Sequence, residues 1–249
     1  MRALIPAVKE VWLADDATGA GSLDQLKLWW DCIVTEGKKF GYFVNESKSW
    51  LILKREEDLI QAKETFQNSH IKITTGGQRH LGAVLGSEDF KKEYMSEKVS
   101  RWCEEVSKLA EIAKSQPHAA FAAYIHGQQH RYRYFLRTIP TIKESLKPLD
   151  DLVTNLLIPN LTGFEINEID RDLLSLPVSA GGLGIEKLCD ISDTEFRRSV
   201  AITGPLAFLI SQQHTQLPDN RVCHGRARYG GQAATRFSPI SAFSDLFTP

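Results

Sequence analysis

The stretch VKEVWLADDATGAG, residues 8–21, decides how the rest of the chain is read. Val8 to Leu13 is an apolar run of strand length and composition. It stops at Asp15-Asp16, and aspartate favours tight turns because its carboxylate bonds nearby backbone amides. Ser22 then stands as an N-cap. Leu23, Leu26, Trp30 and Ile33 follow at helical spacing, with Gly37 and Gly41 bracketing the stop. Two adjacent carboxylates on a turn at a sheet edge suit hard divalent cations, which take oxygen ligands and phosphate. Two-metal phosphoryl transfer requires carboxylates that hold two ions about 3.5–4 Å apart. On the dipeptide alone, an ordinary acidic turn is the better reading.

Working outward, YFVNESKSWLILK (residues 42–54) is punctuated at Asn45 and Ser47 and predicts a buried strand over Ser49–Leu53. Glu56 to Phe66 reads as a short helix. Ile71–Thr74, Gly76-Gly77 and His80–Leu85 together read as a β-hairpin. From Ser87 the pattern becomes helical. Phe90, Tyr94, Trp102, Val106, Leu109 and Ala113 share one face, and Pro117 opens a helix running to about Thr138. Leu146–Leu157, Ile169–Leu174 and Asp193–Gln213 predict three more. The chain therefore divides into a mixed α/β part over residues 1–86, a helical part over 87–216 and a flexible tail over 217–249.

Composition sets outer limits. The chain has 249 residues, 42% hydrophobic and 24% charged, enough for a sizeable core. No apolar run reaches the roughly 18 residues of a membrane span. The N-terminus lacks a signal-peptide pattern, which leads us to expect an intracellular protein, cytoplasmic or nuclear. Cys32, Cys103, Cys189 and Cys223 are too scattered for a zinc site or a disulfide framework. The formal net charge of -1 does not favour strong nucleic-acid binding by the chain as a whole.

HGQQHRYRYFLR (126–137) interleaves Arg131, Arg133 and Arg137 with Tyr132 and Tyr134, which could meet phosphates and bases. The simpler alternative is a helix with a solvated basic face and a buried aromatic face. His126 and His130 have metal-ligand spacing without the glutamate of a zinc-protease motif. ATGAG (17–21) and AGGLGI (180–185) lack the lysine of a phosphate loop and read as turns. Trp12, Trp29, Trp30, Trp50 and Trp102 read as core. Arg221, Arg226 and Arg228 belong to the flexible tail.

The ordered series resembles the reverse-transcriptase domain of non-LTR-type retroelements. VWLADDATGAG, a helix, then Gly41, Asn45 and Lys48 are similar to that family's palm, and HLGAVLGS resembles its primer-grip segment. AKSQPHAAFAAYIHG, RYFLRTIP and LLSLPVSAGGLGI look like segments downstream of the palm. The resemblance runs from about Val8 to about Ile210. It implies an α+β fold, a partial palm with a short antiparallel sheet followed by an all-helical thumb-like region. It implies Mg²⁺, or Mn²⁺, at Asp15 and Asp16. It places Lys48 near the leaving pyrophosphate, as charge stabiliser or proton donor. It puts the Leu81 to Gly86 hairpin, with Leu81 and Gly82, on the primer backbone, and Arg131, Arg133 and Arg137 near the duplex. The partners it implies are an RNA/DNA template-primer and deoxynucleotides.

The family also has a catalytic aspartate upstream of the Asp-Asp turn, which the fourteen residues before Asp15 do not supply. The expectation is therefore a fragment of an RNA-directed DNA polymerase, with little synthesis by the chain alone and an exposed sheet edge prone to self-association. Two other possibilities stay open. One is a non-catalytic nucleic-acid-binding relic of the fold. The other is an unrelated Mg²⁺-dependent phosphotransferase, which needs further carboxylates converging on Asp15 and Asp16.

Overall fold

The computed structural model describes residues 8–213. The expectations for the tail, including Arg221, Cys223, Arg226 and Arg228, lie outside these residues. The fold is mixed α and β, mostly helical, with three two-stranded sheets. The chain forms two compact units. One comprises the N-terminal part through Gln78 together with the segment from Ala201 on; the other is Arg79–Val200.

In the first unit, β1 (Lys9–Leu13) and β2 (Asp16–Ala20) pair antiparallel, with Leu13 opposite Asp16 and Lys9 opposite Ala20. The sequence reading missed β2. Ala17 to Ala20 are small residues with no apolar alternation, so nothing announces a strand. Gly19 is there because α1 (Leu23–Glu36) lies close: a Cβ at Gly19 would sit 2.9 Å from the Trp29 ring. Gln25 accepts from the Ser22 amide at 3.3 Å and satisfies one orphan donor at the start of α1. Gly37 follows the helix, and Gly41 adopts φ 78.

β3 (Trp50–Ile52), α2 (Leu59–Thr65) and β4 (Lys72–Thr74) form a small βαβ arrangement. β4 pairs parallel with β3, Leu51 opposite Ile73. This corrects the expected hairpin through Gly76-Gly77. Thr74 Oγ1 instead accepts from the Gly76 and Gly77 amides and ends β4. Gly77 opens a separate pair, β5 (Gly77–His80) with β6 (Ala83–Gly86), which turns at Leu81-Gly82. The main buried cluster of the first unit is small: Leu51, Leu53, Ala62 and Phe66, flanked by Leu23, Leu26 and Trp30; Val8 and Ile33 are buried outside it.

The second unit is built on α3 (Glu88–Ala113). Ser87 caps it by accepting from the Phe90 amide at 3.2 Å. Its buried positions, Met95, Val99, Trp102, Val106, Ala110 and Ala113, recur every three or four residues. They pack against α6 (Lys143–Leu152) and the wide turn that follows it. Pro117 starts α4 (Pro117–Ala123), which continues through a π-turn (Tyr124–Gln128) into α5 (Gln129–Thr138). A second π-turn, Val153–Leu157, joins α6 to α7 (Ile158–Thr162). α8 (Glu168–Ser175) and the part of α9 (Leu188–Ser211) that runs to Val200 complete the helices of this unit.

Of the five tryptophans, only Trp102 is buried, at 2% exposure. Trp50 is 39% exposed on a strand of the two-stranded sheet, with the Lys72 ammonium 5.1 Å from its ring centroid. The expectation that all five are core is corrected: the other four lie in the first unit, whose buried cluster is too small to cover them.

Candidate functional site

The acidic pair sits on a two-residue hairpin loop. Ala14 and Asp15 form the turn, and Asp16 begins β2. Ala14 adopts φ 54, the left-handed region that L-residues rarely occupy. Both aspartates are exposed. Residues opposite one another in an antiparallel pair share a sheet face. Asp16 therefore lies on the Val11 and Leu13 face, where those two are 38% and 58% exposed. The other face carries Glu10, Trp12 and Gly19. Glu10 is already engaged there, accepting from the Trp29 indole N–H at 2.8 Å.

The turn is held by a residue the sequence reading passed over. The Tyr42 hydroxyl donates to the Asp15 carbonyl at 3.1 Å, and its ring meets Trp12 edge-on at 5.1 Å. Burial, then the charges of Asp16 and Asp15, raise the Tyr42 hydroxyl above its ordinary value, so it stays a donor at neutral pH. No sequence signal marked Tyr42, which sits in an apolar run. Lys48 closes a short 3₁₀ turn (Glu46–Lys48) on the same loop, and it is exposed. Among the described residues, Lys48 makes no ion pair with either aspartate.

Two consecutive carboxylates supply only part of a divalent ion's coordination; Mg²⁺ commonly takes the rest from water and phosphate. Among the described residues no cluster of three or more His, Cys, Asp or Glu side chains forms a metal cage. The convergence that an unrelated phosphotransferase needs is therefore not seen among them. His126 and His130 are both exposed; His126 lies within the π-turn and His130 follows it on α5.

In the second unit, the β5–β6 turn and the basic helix meet. Leu81 (φ 48) and Gly82 (φ 85) both take left-handed conformations, the requirement of a tight two-residue hairpin turn. Tyr134 on α5 donates to the Leu81 carbonyl at 2.5 Å, and Tyr94 on α3 donates to the Gly82 carbonyl at 3.4 Å. A Cβ at Gly82 would lie 3.2 Å from the Tyr134 hydroxyl.

The three arginines on α5 each carry a glutamate. Arg131 contacts Glu105 at 2.6 Å, Arg133 chelates Glu186 with its Nε at 3.1 Å, and Arg137 contacts Glu195 at 2.9 Å. Hydrogen bonding to Glu186 raises Arg133 above its ordinary value. Tyr132 does not face solvent. It is fully buried against Trp102, ring centroids 4.8 Å apart, which corrects its candidacy for base stacking.

AGGLGI is a structural clamp. Gln129 donates to the Gly184 carbonyl at 3.0 Å and accepts from the Glu186 amide at 3.1 Å. Arg171, 4% exposed, donates to the Ile185 carbonyl at 2.7 Å and the Glu186 carbonyl at 3.0 Å. Burial pulls its guanidinium below its ordinary value, and Asp150, 3.9 Å away, is the largest opposing influence. Asp150 also accepts from the Leu188 and Cys189 amides at the start of α9.

Comparison with protein-family models, with curated proteins and with solved structures finds no match to this chain.

Proposed function

We propose that this chain is the C-terminal palm and thumb-like portion of a reverse-transcriptase-type polymerase, one that keeps the acidic metal-binding turn and does not synthesise DNA by itself. One observation carries the reading. The hairpin presents Asp15 and Asp16 side by side and exposed, and Tyr42 ties them to the Gly41–Lys48 loop. Support comes also from the Leu81-Gly82 turn resting on α5, the helix that bears the arginine run. Asp15 and Asp16 would be the protein ligands of Mg²⁺ or Mn²⁺, with phosphate and water completing the sphere. When bound, such an ion offsets the charge that develops on a transferring phosphoryl group. Lys48 would stand by as the cation for a departing pyrophosphate.

The second reading, a non-catalytic nucleic-acid-binding form of the fold, is favoured by Glu10. Its carboxylate is committed to Trp29, so the β1–β2 hairpin offers only the adjacent pair. A preorganised two-metal site needs ligands held in fixed geometry from more than one segment.

Primer extension with Mg²⁺ and deoxynucleotides, alongside anisotropy of a labelled RNA/DNA template-primer, tests both. The expected result is salt-sensitive duplex binding without extension, with Mn²⁺ broadening NMR signals around Asp15 and Asp16. Template-dependent synthesis would overturn the inactivity. Absence of both duplex binding and Mn²⁺ broadening would remove the polymerase reading altogether.

A further inference from the structure

The loop after α1 exposes aromatic rings that its own backbone order does not require. Phe40 is 81% exposed and Phe43 is 73% exposed, the two largest exposures among the apolar aromatic residues described. The loop itself is tightly organised. The Tyr42 amide donates to the Gly37 carbonyl at 3.0 Å, and the Gly41 amide to the Lys38 carbonyl at 3.2 Å. Gly41 at φ 78 reverses the chain between the two phenylalanines. A Cβ at Gly37 would lie 3.1 Å from the Tyr42 carbonyl oxygen, so close packing fixes this bend. Tyr42 turns inward onto Trp12 and the Asp15 carbonyl while its neighbours point out.

The rings stand among cations. Lys38 and Lys39 precede Phe40 directly, and Lys48 follows on the same loop; all three are exposed. Lys39 pairs with Glu36 at 2.7 Å, but both members are solvent-facing, and such a pair contributes little and exchanges readily for another anion. An apolar protein partner covering Phe40 would have to desolvate Lys38 and Lys39 beside it. A nucleic-acid strand uses both features at once, rings for bases and ammonium groups for phosphates.

We propose that this loop is a stacking platform for single-stranded nucleic acid, with Phe40 and Phe43 taking bases and Lys38 and Lys39 taking the flanking phosphates. The proposal rests on the nucleic-acid reading above and assigns the unpaired strand, rather than the duplex, to this face. Base–aromatic stacking is tolerant of sequence, so the platform holds any strand with flat bases.

The test uses the full chain and two fluorescein-labelled probes, oligo(dT) of twelve nucleotides and an abasic strand of the same length, read by anisotropy. F40A and F43A each weaken oligo(dT) binding about tenfold. The abasic strand binds wild type as weakly as oligo(dT) binds the double variant. K38Q/K39Q flattens the salt dependence by about 1.4 in log–log slope, whereas F40A/F43A leaves the slope unchanged. F40L/F43L, which keeps apolar bulk without a π face, loses binding like the alanine pair. Thermal melting followed by circular dichroism verifies that these exposed substitutions leave the fold intact. The platform is overturned if the alanine pair binds oligo(dT) like wild type, if the abasic strand binds equally well, or if the leucine pair is indistinguishable from wild type. Failure there with duplex binding and Mn²⁺ broadening intact removes only this platform; loss of all three removes the polymerase reading too.

Discussion

At the scale of single residues, space and charge allow sharp expectations. Gly182 has no room for a side chain: a Cβ would lie 2.1 Å from the Leu176 carbonyl oxygen and 2.6 Å from that of Leu173. These are backbone atoms and cannot swing aside. G182A should therefore cost about 3 kcal/mol or more, read as a lowered midpoint in urea denaturation. Cys189 is the second case. Burial, and then the Asp150 carboxylate, push its thiol up to about 12, so it remains protonated throughout the neutral range. Only the thiolate reacts, so alkylation of Cys189 by iodoacetamide at pH 8 should run about a thousandfold slower than that of N-acetylcysteine. D150N should speed it, as peptide mass spectrometry after timed quenching will show; equal rates in the two proteins would refute the role given to Asp150. Neither residue was legible beforehand. AGGLGI reads from sequence only as a turn and the cysteines only as dispersed, because the groups that clamp them come from Gln129, Arg171 and Asp150, on other elements.

At the scale of elements, periodicity was readable and partnership was not. The face of α3 could be traced from Phe90 to Ala113, because a helix against a core repeats its apolar side chains every three or four positions. The pairing of β4 with β3 could not, because strand identity says nothing of which neighbour a strand chooses once a helix such as α2 can carry the chain across. β2 was hidden by its small residues, whose reason, the Trp29 ring over Gly19, exists only in three dimensions. The candidate site divides likewise. Asp15 and Asp16 were legible as an exposed turn, whereas Tyr42 and Tyr134, which hold the two turns, were not. The β5–β6 hairpin offers a direct check. Y134F removes the hydroxyl that bonds the Leu81 carbonyl, and should cost about 1 kcal/mol, less for its partial exposure. Hydrogen exchange should rise in β5 and β6 while α3 is unchanged. Uniform protection across the hairpin in Y134F would show that the tyrosine merely rests there.

At the scale of the whole molecule, the two units are unequally endowed. The main cluster of the second gathers eighteen buried residues, while that of the first gathers four. Buried apolar area is the dominant favourable term in folding, so the two should not open together. Native-state hydrogen exchange should find the slowest amides in α3, α5 and α6, with amides of β3, α2 and β4 exchanging roughly a hundredfold faster or more. Equal protection would mean that the small core is reinforced by something its buried residues do not reveal. The helical unit carries one further consequence. It contains two wide turns, Tyr124–Gln128 and Val153–Leu157: across the first the buried positions step by five, from Tyr124 to Gln129, and at the end of the second Leu157 and Ile158 are buried side by side. Each wide turn holds one residue more than a regular helix needs. A relative with straight helices at these two places would be one residue shorter at each, and any alignment that refuses a gap there would displace every downstream core position by one residue, about 100° around its helix.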